Sequence, residues 1–170
     1  MSAIPFPSPM TPAAGHAEVF VRYLDYYRET LLAKAAALPA AELRASRLPS
    51  GWTPLELLKH LRWVELRWLE WGFQGSAVED PWGDRRDDRW HVEPAETLDD
   101  LAAALRAQGA HTTAVITGSD LTAAGRPGPR WAGAEPATLE RICLHLIQEY
   151  ARHAGHLDIV AELAGGPTGE

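Results

Sequence analysis

Residues 139–163, LERICLHLIQEYARHAGHLDIVAEL, leave the chain the least choice of fold. At about 100° per residue, Leu139, Cys143, Leu146, Tyr150 and Leu157 line up as one apolar stripe, so the run reads as a single helix. Glu149 and His153 stand four residues apart, which stacks them on one face, one turn above the other. His153 falls inside the apolar stripe and Glu149 at its edge, whereas His145 and His156 lie further round, toward the polar side. Ionised groups directed at a core are costly unless they are paired or bound to metal. A single metal ion can use this spacing, and its remaining ligand must come from elsewhere in the chain.

Three more helices are legible upstream. Residues 1–11 are Pro-rich and read as an extended tail. Thr11 is expected to cap, and Pro12 to open, a first helix that runs to Leu38. Phe20, Leu24, Tyr27, Leu31 and Leu38 give it a core stripe, Pro39 stops it, and residues 40–43 add a further turn. The second helix has the clearest start: Thr53-Pro54-Leu55-Glu56 is a capping box with proline in the first turn. It continues to about Phe73 and is apolar nearly all round, so it is expected to be central and buried, with His60 embedded in it.

Residues 75–94 form a long charged loop holding Trp82 and Trp90, the kind of segment that walls a site. Within it, residues 84–89 alternate in sign and read as solvated. Thr97 caps a third helix, Asp99 and Asp100 suit its positive end, and Gly118 closes it. A turn-rich stretch, 125–133, leads to the last helix, which Gly165-Gly166-Pro167 ends. No strand-like alternation persists. The expected fold is all-α: an up-down four-helix bundle spanning residues 12–166 as one domain, with tails at 1–11 and 167–170 and a metal site in the bundle core.

Composition narrows the function. A net charge of -7 disfavours a nucleic-acid surface, which needs a basic patch to neutralise phosphates. The single cysteine, Cys143, excludes an internal disulfide framework and sits on an apolar stripe, as a small core residue would. No stretch approaches the roughly 18 apolar residues that cross a membrane, and the first residues lack the pattern of an export signal. The expectation is a cytoplasmic protein with no membrane partner.

His60 from the second helix, joined to Glu149 and His153, makes two imidazoles and one carboxylate. That set suits Zn²⁺ or another divalent metal such as Ni²⁺ and leaves a coordination position open. Spacing alone equally admits a plain reading, with His60 bonded to a carbonyl and Glu149 paired with Arg141 or Arg152. His145 and His156 read as flanking or solvated groups, although periodicity alone leaves room for either in a site. Of the seven tryptophans, Trp63, Trp68 and Trp71 are expected to pack the bundle, and Trp90 is the one favoured for a pocket wall.

Three segments, FVRYLDYYRETLLAKAAAL (20–38), PSGWTPLELLKHLRWVELRWLEWGFQG (49–75) and HLIQEYARHAGHLDIVAELAGGPTGE (145–170), resemble the DinB-like superfamily, specifically its DUF664 branch. The resemblance covers nearly the whole chain. It implies a four-helix bundle, often dimeric, with a divalent metal held by one histidine of the second helix and two residues of the fourth. Carried over to this chain, those residues are His60, Glu149 and His153. Relatives commonly have histidine where Glu149 stands. The His, Glu, His set is similar to that of the mycothiol-dependent maleylpyruvate isomerases.

The resemblance further implies a metal-dependent thiol S-transferase, an enzyme joining a low-molecular-weight thiol such as mycothiol to a small electrophile. The metal would be Zn²⁺ first and Ni²⁺ second. Competing readings are a metal- or small-ligand-binding stress-response protein without turnover, and a metal-assisted hydrolase.

Overall fold

A computed structural model describes residues 4–166; residues 1–3 and the expected tail at 167–170 lie outside the described residues. Four helices carry the chain: α1 (His16–Ala37), α2 (Pro54–Leu66), α3 (Leu98–Gly118) and α4 (Leu139–Leu163). α2 begins where its capping box places it. The Glu56 N–H donates to the Thr53 hydroxyl at 3.4 Å, and the Thr53 N–H donates to the Glu56 carboxylate at 2.8 Å. α3 repeats the device with Thr97 and Asp100.

α1 corrects the sequence expectation, starting at His16 instead of Pro12. The Thr11-Pro12 cap goes unused. Instead Glu18, in the first turn, reaches back to accept the Ala14 N–H at 2.6 Å. The extra turn after Pro39 is a single 3₁₀ turn at Glu42–Arg44. α2 reaches Phe73 as expected, but its last stretch, Arg67–Phe73, widens into a π-helix. Such widened turns shift the side chains that follow, and they gather at functional sites.

Cross-bundle pairs fix the helix directions. His16 with Glu140 and Lys34 with Asp158 join the starts and the ends of α1 and α4, which therefore run in the same sense. Lys59 with Glu96 and Gln74 with His111 do the same for α2 and α3. α2 runs opposite to α4, since His60 meets His153 while Trp68 meets His145. Two helices run up and two run down. Because α2 and α3 are parallel, residues 74–97 must travel back along the bundle, which explains the length of that connection.

The core is built from the predicted stripes: Leu24 and Leu31 of α1, Leu57, Leu58 and Leu61 of α2, and Leu146, Tyr150 and Leu157 of α4 are all buried. Each such leucine contributes about 2 kcal/mol of apolar burial. Cys143 is buried among them, and burial, with the Glu140 charge nearby, pushes its thiol up to about 12. At the centre lies a charged group that the pattern did not announce. Glu65 is fully buried and accepts from Arg28 at 2.9 and 3.2 Å, from the Thr112 hydroxyl and from the Tyr150 hydroxyl. Four donors on one carboxylate offset the desolvation it suffers.

Two further expectations are refined. Trp63, Trp68 and Trp71 are half-buried: Trp68 packs against the core as expected, with Arg130 3.9 Å over its ring, while Arg62 lies 4.6 Å over Trp63. The connection after α2 is not wholly irregular. β1 (Arg85–Arg86) and β2 (Arg89–Trp90) pair as an antiparallel hairpin. Asp87 and Asp88 form its two-residue turn with φ of 51° and 58°, the geometry of a type I′ turn.

A candidate metal centre

α2 and α4 face each other so that His60, Glu149 and His153 converge. One donor atom from each lies within 4.8 Å of the others. His60 is 7% and His153 5% exposed, while Glu149 sits at the edge of the group. A tetrahedral ion with bonds of about 2.1 Å holds neighbouring donors roughly 3.4 Å apart, so small side-chain rotations bring these three to a shared ion. Already His153 Nε2 stands 3.3 Å from Glu149 Oε2. Glu149 is held below the usual carboxylate range by its bond to His153, against an opposing push from burial. It is a carboxylate at neutral pH, so the donor set of two imidazoles and one carboxylate fits a divalent transition metal.

The hairpin supplies what sequence reasoning missed. Asp84, just before β1, is 1% exposed and accepts from His60 Nδ1 at 2.9 Å. Arg67, the first residue of the π-helical stretch, grips the same carboxylate through two bonds of 2.7 and 3.1 Å. Burial pushes the Asp84 carboxyl up, but the hydrogen bonds and charges of His60 and Arg67 outweigh it and hold the group below its ordinary value. An ionised carboxylate only accepts, so His60 Nδ1 carries the proton and Nε2 presents its lone pair. Burial lowers the His60 pKa despite Asp84, which keeps the ring neutral, the form a ligand needs.

Trp90, at the end of β2, lies flat on His60 with centroids 4.1 Å apart and planes 22° from parallel. It also meets His153 edge-on at 5.4 Å. The pocket-wall role expected of Trp90 thus has a structural basis. His145 contacts Trp68 at 4.5 Å and approaches Glu149 at 3.7 Å, while His156 approaches His153 at 3.4 Å. Both flank the triad from the next turns of α4. The plain alternatives do not hold: His60 bonds a carboxylate instead of a carbonyl, and Glu149 faces histidines instead of Arg141 or Arg152.

Among the described residues, no helix is long and apolar enough to cross a membrane. Comparison with curated proteins finds no match. The family model described as Mycothiol-S-transferase matches residues 19–166, which takes in all four helices but the first turn of α1, and every residue of the triad.

Proposed function

The chain belongs to the mycothiol-S-transferase family, and from that premise we propose a metal-dependent transferase that conjugates a low-molecular-weight thiol, mycothiol first among them, to a small electrophile. His60, Glu149 and His153 hold the metal, Zn²⁺ before Ni²⁺. The observation that carries this reading is the convergence of three donors within 4.8 Å in the interior of a bundle of this family. A metal there supplies a Lewis acid, which lowers the pKa of a bound thiol from near roughly 8.5 toward neutrality.

The chain's own residues do the rest. Asp84 and Arg67 fix the ring of His60 before any ligand arrives, so little reorganisation remains when the site fills. Trp90 covers the His60 and His153 rings and keeps water from that side. In the transfer, the thiol releases its proton to solvent and its sulfur forms a bond to the electrophilic carbon. The bond from that carbon to the leaving group breaks, and its electron pair departs with that group. Cys143 takes no part, since it is buried in the core and protonated.

Cobalt-loaded protein tests the reading. Added thiol is expected to produce a thiolate-to-metal charge-transfer band, and to do so below the thiol's own pKa. Stoichiometric cobalt with no such band at saturating thiol would overturn the thiol-transferase mechanism while leaving the metal site standing.

A further inference from the structure

Trp90 covers the His60 and His153 rings, which leaves the Glu149 end of the triad to other neighbours. There His145, one turn back along α4, stands 3.7 Å from the half-buried Glu149 carboxylate. Trp68, from the π-helical stretch, meets the His145 ring at 4.5 Å, and the guanidinium of Arg130 lies 3.9 Å over the Trp68 ring. Burial, opposed by Glu149 and aided by the Arg130 charge, lowers the His145 pKa. The positive charge of Arg130 is therefore felt beside the metal ligands.

Arg130 is a cation without an anion. The chain has 23 acidic residues against 16 lysines and arginines, yet among the described residues no carboxylate pairs with Arg130. Its Nε N–H is buried with no acceptor, whereas the two Nη groups also lack a partner but stay accessible on a half-buried residue. Burial and the nearby Arg67 charge lower its pKa, as befits a guanidinium short of negative charge, although it remains a cation. Arg67, by contrast, has Asp84.

Close backbone approach holds Arg130 in this position. Its neighbour Trp131, in the 3₁₀ turn Pro129–Trp131, packs against Gly72 and Gly125, where an added Cβ would stand 3.3 and 2.9 Å from the Trp131 ring. The Trp131 Nε1–H donates to the Arg126 carbonyl at 2.9 Å, and the Arg126 N–H donates to the Phe73 carbonyl at 3.0 Å. The turn is thus tied to the same π-helical stretch that carries Trp68. A part-desolvated guanidinium gains more from an anion than a solvated one does, because the partner replaces hydrogen bonds already lost. Its planar Nη edge matches a carboxylate. Trp68 and Trp131, with ring centroids 6.1 Å apart, offer faces for an apolar body attached to it.

We propose that Arg130 is an anion-binding residue for the electrophile, and that the electrophile is a carboxylate on an apolar body, held by Arg130 with Trp68 and Trp131 beside it. The inference rests on the thiol-transferase reading for the role of the bound molecule, and deepens it by naming that molecule's class. Arg130 fixes the charged end of the electrophile at the Glu149 side of the triad, the side that Trp90 does not cover. It takes no part in holding the metal or the sulfur.

Benzoate is the probe, and benzamide, its uncharged isostere, is the control. Each is titrated into full-length protein by calorimetry, with tryptophan fluorescence as a second readout. Chelator-treated and Zn²⁺-loaded protein are compared, because a metal can itself bind a carboxylate. Benzoate is expected to bind both forms saturably, and benzamide at least about tenfold more weakly. Arg130→Gln should weaken benzoate by about 10–100-fold and leave the weaker benzamide binding unchanged. Arg130→Lys should keep part of the benzoate affinity, since a point charge replaces the planar fork. Far-UV circular dichroism and the urea midpoint report that each variant is folded.

Absence of binding by the wild type at millimolar benzoate would overturn the proposal. Equal affinity for benzamide, binding only in the presence of Zn²⁺, or binding indifferent to Arg130→Gln and Arg130→Lys would overturn it as well. None of these results touches the cobalt–thiol band, which Arg130→Gln should leave unchanged. Conversely, a missing band with benzoate binding that depends on Arg130 would refute the transfer chemistry and leave the anion site in place.

Discussion

Asp84→Asn is the substitution that bears hardest on the proposed site. The wild-type carboxylate accepts three hydrogen bonds, one from His60 and two from Arg67, and it is fully buried. Asparagine keeps the shape but turns one oxygen into a donor, which then opposes an N–H of His60 or Arg67. It also removes the charge that pairs with Arg67, itself 4% exposed. Breaking a buried pair in this way costs about 3–5 kcal/mol, because the remaining charge stays in the interior. Some of that is recovered here, since Arg67 also donates to the Pro81 carbonyl at 3.2 Å.

The same change frees the His60 ring, and loss of such an outer partner weakens metal binding by about 10–100-fold. Urea denaturation of chelator-treated protein measures the first effect, and competition against a chromophoric chelator measures the second. The pH dependence follows from the direction of the Asp84 shift. A carboxyl held below its ordinary value stabilises fully above the unfolded pKa, near about 4, and loses that contribution as pH falls through the folded value. The gap in stability between wild type and Asp84→Asn should therefore be full at pH 7 and narrow in acid. A variant with unchanged urea midpoint and a metal dissociation constant within about threefold of wild type would refute the role assigned to Asp84.

Three other outcomes follow from the packing. Gly109→Ala should destabilise by about 3 kcal/mol, although alanine is the better helix former: its Cβ would stand 2.4 Å from the Arg28 guanidinium and push it off buried Glu65, visible as a lower urea midpoint. Thr53→Ala should cost about 1 kcal/mol in the same assay through loss of the capping box on α2. Cys143 should resist thiol reagents at pH 8 in native protein and react fully once urea unfolds it, since burial keeps it protonated with a pKa of about 12. Rapid labelling of the native protein would contradict its placement in the core.

The helices were legible because each carries a strong local signal. The Thr53 and Thr97 caps and the apolar stripe from Leu139 to Leu157 depend on residues within a turn or two of one another. The convergence of His60 with Glu149 and His153 was legible only in part. The four-residue spacing on α4 pointed to a site but equally admitted a plain reading, and it was the family resemblance that singled out His60 as the partner. Asp84 was not legible, because it sits in a run of alternating charges whose other members are exposed. One buried carboxylate there is invisible until the hairpin folds back on α2.

The Asp87-Asp88 pair, aspartates being tolerant of left-handed backbone, was the signal that could have revealed that hairpin. Glu65 was hidden for a related reason: its partners Arg28, Thr112 and Tyr150 come from three other helices, so no single segment announces a buried charge. The start of α1 was misplaced because Thr11-Pro12 is a sound capping signal in isolation, and Glu18 offered a competing one from inside the helix.

Metal content tests the central claim most directly. Purified wild type, His60→Ala and Glu149→Ala are compared by elemental analysis, with circular dichroism confirming that each is folded. The proposed site predicts about one equivalent of Zn²⁺ or Ni²⁺ in the wild type and its loss in both variants. A folded wild type that holds no metal and takes up neither ion when offered would contradict it.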